Sequence, residues 1–160
     1  MSQETETKES IMNIQGLDHY TLRSSKLQQT RDFYCRVVGL SEGYRPAFAF
    51  PGHWLYAADK PVLHLVAAEQ NPALEAYLGQ RRSTNGSGVV DHLAFRGADL
   101  SAMQHKLLAL ELHFRERQVP EILEHQLFLE DPNGITVEMI FPFSPDNKVL
   151  GEAMPKLRFR

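Results

Sequence analysis

Apolar and polar positions alternate with a period of two around His19 and again around His92. Tyr20 and Leu22 fall on one face, with Leu17, His19 and Thr21 on the other, and later Leu93 and Phe95 oppose His92 and Ala94. Such alternation predicts strands that bury one side only. After each strand the period changes to that of a helix. Leu27, Thr30, Tyr34, Val37 and Val38 recur at helical spacing behind Ser25, a candidate cap, and stop at Gly39; Asp99 similarly precedes Leu100, Met103, Leu107 and Leu110. Three short strands then follow in each case, expected over 43–50, 53–57 and 61–67, and over 113–119, 124–130 and 134–141. The turns Ala58-Asp59-Lys60-Pro61 and Asp131-Pro132-Asn133-Gly134 join the last two strands of each set as hairpins.

The order βαβββ therefore occurs twice, and the two copies align residue by residue. Leu17-Asp18-His19-Tyr20-Thr21-Leu22-Arg23 is echoed by Val90-Asp91-His92-Leu93-Ala94-Phe95-Arg96, and Leu27 by Leu100, at an offset of 73 residues. Trp54-Leu55 matches Phe128-Leu129, and His64 matches Glu138, at an offset of 74, so one gap registers both halves. A repeat of this kind changes the reading of the whole fold. The predicted class is α+β, with two paired βαβββ modules. The expected divisions are a polar tail over 1–12, a first module over 13–68, a linker over 69–88 with a short helix from Pro72 to Leu78, a second module over 89–141, and a C-terminal extension over 142–160. Phe141, Phe143, Leu150, Met154, Leu157 and Phe159 imply that the extension packs on something.

Composition narrows the function classes. The 160 residues, 42% hydrophobic and 23% charged, suffice for one compact domain or two small halves with a common core. A net charge of -3 leaves no cationic excess for a phosphate backbone or an anionic membrane, so neither nucleic acid nor membrane is an expected partner. No apolar run approaches the roughly 20 residues of a membrane span. The start MSQETETKESIM lacks the basic and apolar segments of a signal peptide. Cys35 is the only cysteine, which rules out an internal disulfide or a CxxC site and favours a reducing, cytoplasmic setting.

The repeat puts a histidine on the first strand of each half and an ionisable group on the last. In the run Ile135 to Ile140, Ile135, Val137 and Met139 point one way and Glu138 the other, a costly place for a lone carboxylate. Imidazole nitrogens and a carboxylate oxygen are ligands that Fe(II), Mn(II), Ni(II) or Zn(II) accept, and two histidines with one carboxylate leave positions open for substrate. His19, His92 and Glu138 are accordingly the expected ligands of one divalent ion. A single strand histidine is ordinarily structural; the repeat sets these apart. His53, His105 and His113 lack repeat partners and read as ordinary partly exposed residues, with His125 a candidate behind the site. Asp18 and Asp91 alternate to the opposite face, where a hydrogen bond or salt bridge that fixes the strand is the expected role.

The segments Gly16-Leu17-Asp18-His19, Asp32-Phe33-Tyr34-Cys35-Arg36-Val37-Val38-Gly39-Leu40, Asp91-His92-Leu93-Ala94-Phe95 and Asp131-Pro132-Asn133-Gly134 followed by Glu138 resemble the motifs of the vicinal oxygen chelate superfamily. That superfamily includes glyoxalases, fosfomycin-resistance proteins, methylmalonyl-CoA epimerases, extradiol dioxygenases and bleomycin-binding proteins, and the likeness spans about residues 14 to 141. It implies that the paired modules form a half-open barrel around one metal site, often in a homodimer, with His19, His92 and Glu138 as ligands. The fourth ligand position, Glu or Gln in glyoxalases and epimerases, falls on His64. Three readings stay open there: a fourth ligand, an acid or base beside the metal, or a buried histidine hydrogen-bonded within its strand.

The resemblance further implies that the metal polarises vicinal oxygens of a small-molecule substrate, with Glu138 and His64 as the candidate catalytic groups. A glyoxalase-like lyase or isomerase is the first expectation. An Fe(II) extradiol ring-cleaving dioxygenase is the second, set back by Phe128, which stands where those enzymes carry a tyrosine. A non-catalytic drug binder is third, because such relatives typically lack the ligands that this chain keeps. Thr21, Phe48, Trp54, Tyr56, His125 and Phe128 are candidate substrate-binding residues, although aromatic residues on strands equally serve as core.

Overall fold

A computed structural model describes residues 17, 19–78, 85–87 and 92–156, with the side chains of Tyr77 and Leu78 left out. Two open sheets carry the architecture. The first has the order β1-β4-β3-β2 and is made of β1 (Tyr20–Ser24), β2 (Ser41–Glu42), β3 (Gly52–Ala57) and β4 (Lys60–Ala67). The second has the order β5-β8-β7-β6-β9, from β5 (His92–Arg96), β6 (Arg115–Val119), β7 (Glu124–Glu130), β8 (Thr136–Pro142) and β9 (Glu152–Ala153). Helix α1 (Leu27–Phe33) follows β1, α2 (Pro72–Leu78) follows β4, and α3 (Leu100–Ala109) follows β5. None of the described helices is long and apolar enough to cross a membrane.

The repeat is written into the strand pairing. In the first sheet β1 runs parallel to β4 with Thr21 opposite His64, and β3 runs antiparallel to β4 with Trp54 opposite His64. In the second, β5 runs parallel to β8 with Ala94 opposite Glu138, and β7 runs antiparallel to β8 with Phe128 opposite Glu138. The offsets of 73 and 74 residues thus correspond to equivalent places in two sheets of the same plan. Alternation does the rest: Leu55, Leu63 and Leu65 from one sheet and Leu127, Leu129, Val137 and Met139 from the other enter one apolar cluster with Phe33, Tyr34, Leu100 and Leu107 of the helical segments.

Local details differ from the sequence pattern in three places. The helix after β1 is α-helical only to Phe33 and widens to a π-helical turn over Tyr34–Val38, closing at Gly39 in the left-handed conformation with φ 98°. Ser25 does not cap it; Lys26 holds the cap position without a side-chain bond, and Ser24 Oγ accepts from the Lys26 N–H at 2.9 Å. Asp99 does cap α3, accepting from the Ala102 N–H at 2.9 Å. The strand expected over 43–50 does not form; the edge strand of this sheet is Ser41–Glu42, just before it. Pro46 and Pro51 have no N–H to give a ladder, and the intervening chain bonds to itself, with the Phe48 N–H on the Pro46 carbonyl. The resulting loop seats Phe50 against Val66 and Leu74, outside the main cluster.

Two buried polar networks fix the long-range geometry. In the turn between β7 and β8, Asp131 Oδ1 accepts from the N–H groups of Asn133 and Ile135 at 2.8 and 2.9 Å. The same turn reaches into the first half: Ser24 Oγ donates to Asn133 Oδ1 at 2.6 Å, Asn133 Nδ2 donates to Thr30 Oγ1 at 2.9 Å, and Tyr34 Oη donates to Asp131 Oδ2 at 3.1 Å. Burial, and then the Asp131 carboxylate, raise the Tyr34 pKa above that of an ordinary phenol. The second network lies under the C-terminal extension. Glu116, fully buried, accepts from Gln104 Nε2 at 2.7 Å, contacts His125 Nε2 at 2.7 Å, and takes the N–H groups of Leu150 and Gly151. These contacts lay β9 parallel along β6.

Asn133→Ala is expected to lower the unfolding free energy by about 3 kcal/mol, since it removes two inter-half hydrogen bonds and leaves Ser24 and Thr30 buried with fewer partners. Lys26→Ala, which removes an exposed bond to the Pro132 carbonyl, should stay within about 0.5 kcal/mol. Urea denaturation followed by circular dichroism measures both; equal effects would mean that the turn does not clamp the halves.

Candidate metal centre

Each sheet turns one face to the common core and displays its candidate ligands on the other. On β4, Leu63 and Leu65 point inward, so His64 and Val66 point outward; on β3, Leu55 points inward and Trp54 outward. The outward rings stack in a column. Trp54 and His64 lie 3.9 Å apart between centroids at 4°, and His64 and His19 lie 3.9 Å apart at 20°. A recess of about 80 Å3 opens beside them, with Thr21, Phe48, Phe50 and Arg45 in its walls. Tyr56 shares the strand but is drawn toward the neighbouring loop, its hydroxyl donating to the Tyr44 carbonyl at 2.6 Å.

On the second sheet His92 Nε2 lies 3.0 Å from Glu138 Oε2. The carboxylate is only 6% exposed. Burial raises its pKa above the usual carboxylate range; the nearby His92 charge works against that shift and Glu124 works with it. Phe128, directly across from Glu138 on β7, continues the same face, with the Arg117 guanidinium 5.4 Å from its ring centroid. Arg117 is fixed by Gln126 Oε1, which accepts from its Nε at 3.2 Å and its Nη2 at 2.9 Å.

Two departures from the sequence expectations follow. The four candidate ligands form two pairs, His19 with His64 and His92 with Glu138, and no three His, Cys, Asp or Glu side chains gather into a metal-holding group among the described residues. His125 is not beside Glu138 at all. It occupies the alternate positions of β7 with Leu127 and Leu129, fully buried on the core side, where Glu116 engages it. The period of two already separates residue 125 from residue 128, so the error was one of face. Asp18 and Asp91 lie outside the described residues. The pairs nonetheless suit a metal by donor chemistry: imidazole nitrogen beside imidazole on one sheet, imidazole beside a carboxylate kept buried at a cost on the other.

Arg45 and Arg117 were not among the sequence-derived site residues. Arg117 could have been found by extending the Phe128 face one strand further, since it pairs with Gln126 across β6 and β7. Arg45 sits in the loop wrongly read as a strand, so its direction was not accessible from periodicity.

The profile of one family, described as the glyoxalase/bleomycin resistance protein/dioxygenase superfamily, matches residues 16–139. The chain belongs to this superfamily. Among solved structures of the superfamily's fold, it is similar to a lactoylglutathione lyase from Agrobacterium tumefaciens, with 18% identity, 80% of this chain and 94% of that one covered, and a TM-score of 0.60. A fosfomycin resistance protein, FosX, from Listeria monocytogenes is 18% identical over 82% of this chain and 96% of its own, with a TM-score of 0.55. TnmS3, an antibiotic binding protein from Streptomyces sp. CB03234, is 17% identical over 82% and 99%, with a TM-score of 0.57. No curated protein matches the chain by sequence. At these identities the structures establish the glyoxalase-superfamily fold, and its members include both enzymes and binders.

Because the folded pKa of Glu138 is raised, its carboxyl favours folding when protonated and costs stability when ionised. That cost appears as pH rises from the unfolded value through the folded one. In metal-free protein, Glu138→Gln is therefore expected to raise the melting temperature at pH 7, with the gain vanishing near pH 4. Scanning calorimetry at both pH values checks this; an equal effect at both would remove burial of the carboxylate as its cause.

Proposed function

We propose that this chain is a divalent-metal-dependent enzyme, a glyoxalase-like lyase or isomerase whose small organic substrate binds the metal through vicinal oxygens, with each centre completed between two copies of the chain. The observation that carries this reading is the His92–Glu138 contact of 3.0 Å, at the sheet position equivalent to His64 and its neighbour His19. The two pairs lie on faces turned away from one shared core. A second copy that sets its second sheet against the first sheet of its neighbour would join His19 and His64 to His92 and Glu138, an isologous arrangement that repeats at both ends of a dimer. Fe(II), Mn(II), Ni(II) or Zn(II) held there would polarise substrate oxygens and stabilise negative charge as a proton leaves carbon.

The chain's own groups divide the remaining work. Glu138, with His92 on one oxygen, is the group to take and return the proton. His64, held flat between Trp54 and His19, orients a ligand or donates at its ring edge. Trp54 and Phe128 supply apolar walls that keep water from the reacting atoms.

The ring-cleaving dioxygenase reading loses ground on two observations. Phe128 is directly across the strands from Glu138 and has no hydroxyl, and His125, the nearest ionisable side chain before it on β7, faces the core. The drug-binder reading keeps one favourable observation, the aromatic recess around Trp54.

Protein purified without added metal is expected to carry stoichiometric metal, lost in His92→Ala and in Glu138→Ala, and to turn over hemithioacetals with Ni(II) or Zn(II). Full metal in both variants would overturn the assignment of ligands. His19→Ala and His92→Ala, each inactive alone, should regain about one quarter of wild-type turnover when refolded together, because half of the dimers then hold one intact centre. No recovery would place the whole centre within one chain.

A further inference from the structure

We propose that Arg45 is a specificity residue that receives the carboxylate of an anionic substrate beside the metal centre, in the recess under Trp54. The inference rests on reading the outward face of the first sheet as part of the substrate site, and it names the class of substrate: a small organic acid with an apolar or aromatic body.

The guanidinium is set into a built cradle. Its Nη2 donates to the Phe50 carbonyl at 2.9 Å, and its carbon lies 5.0 Å from the Phe48 ring centroid and 5.1 Å from that of Phe50. The two rings are themselves stacked, 5.1 Å apart at 14°. Gly52 completes the cradle, because a Cβ there would lie 3.0 Å from Arg45 Nη2 and 3.2 Å from Cζ, besides meeting the Leu65 carbonyl. The Leu65 carbonyl is what requires a glycine there, and the missing side chain leaves room for the guanidinium beside the backbone.

What the cradle lacks is an acid. Arg45 has no carboxylate partner among the described residues, whereas Arg31 has Asp32 and Glu42, and Arg96 has Glu124. Its Nε is buried with no acceptor. Partial burial lowers its pKa. Among the described residues the walls of the recess contribute Arg45, His19 and His64 and no acidic side chain. A planar fork of N–H donors in low dielectric suits a carboxylate held by two parallel bonds, which is the recognition arginine performs and lysine does not. At about 80 Å3 the recess takes the anionic head and leaves the body of the molecule against Phe48 and Trp54. An anion there would supply further acceptors to a guanidinium that has one among the described residues.

Trp54, the only tryptophan, lines the recess and reports directly on its occupancy. Full-length protein stripped with EDTA is titrated with benzoate and with its neutral isostere benzamide, following tryptophan fluorescence. The expected result is saturable binding of benzoate at least about tenfold tighter than benzamide, weakened by added sodium chloride as a charge contact should be. Arg45→Gln should abolish that preference, and Arg45→Lys should keep part of it, since the charge stays and the fork is lost. Equal affinity for the two probes, no binding of benzoate, or a preference undiminished in Arg45→Gln would overturn the proposal. Should the glutamine variant fail to fold, the benzoate and benzamide comparison on the wild type decides alone. Because the metal is removed, a protein that binds no metal yet prefers benzoate refutes only the metal reading, and one that binds metal without this preference refutes only the role of Arg45.

Discussion

The buried turn Asp131 to Ile135 is the constraint on which the remaining geometry depends. Two sheets of four and five strands could slide against each other on a leucine-rich interface, because apolar contact has no direction. Asn133 and Asp131 remove that freedom. Their side chains satisfy the turn's own N–H groups and at the same time Ser24, Thr30 and Tyr34 of the other half, all in a region shielded from water. Breaking any link strands a polar partner in the interior, so the network selects one relative placement of the halves as well as adding stability.

With that placement set, strand register decides what each outward face carries. Parallel pairing of β1 with β4 and of β5 with β8 puts residues 21 and 94 opposite residues 64 and 138, so a duplicated backbone offers two equivalent stations for chemistry. The stations have diverged. One holds imidazoles between aromatic rings beside an arginine; the other holds a carboxylate with an imidazole and has an arginine over Phe128.

Much of this plan was legible in the sequence because it rests on periodicity and repetition. Alternation around His19, His92 and Glu138 predicted which side chains leave the core, and the offset of the repeat predicted that His64 and Glu138 are equivalent. The errors have physical causes of their own. The stretch 43–50 carries the aromatic residues of a strand, but Pro46 cannot donate and the chain bonds locally. His125 was drawn to the site by nearness in sequence to Phe128, though alternation sends it inward. Gathering of the ligands into one cluster was beyond any periodic argument, because faces are set by residues within a strand and the meeting of faces by how the sheets are docked.

Glu116 links the end of the chain to its middle. The acceptor side of that carboxylate is filled by N–H groups at positions 150 and 151, and the edge of β6 by residues 152 and 153. During synthesis the second half therefore cannot complete its interior when its own helix and strands have been made. A buried carboxyl group, with Gln104 and His125 gathered on it, waits for residues 150–153, so this sheet closes only after they have been made.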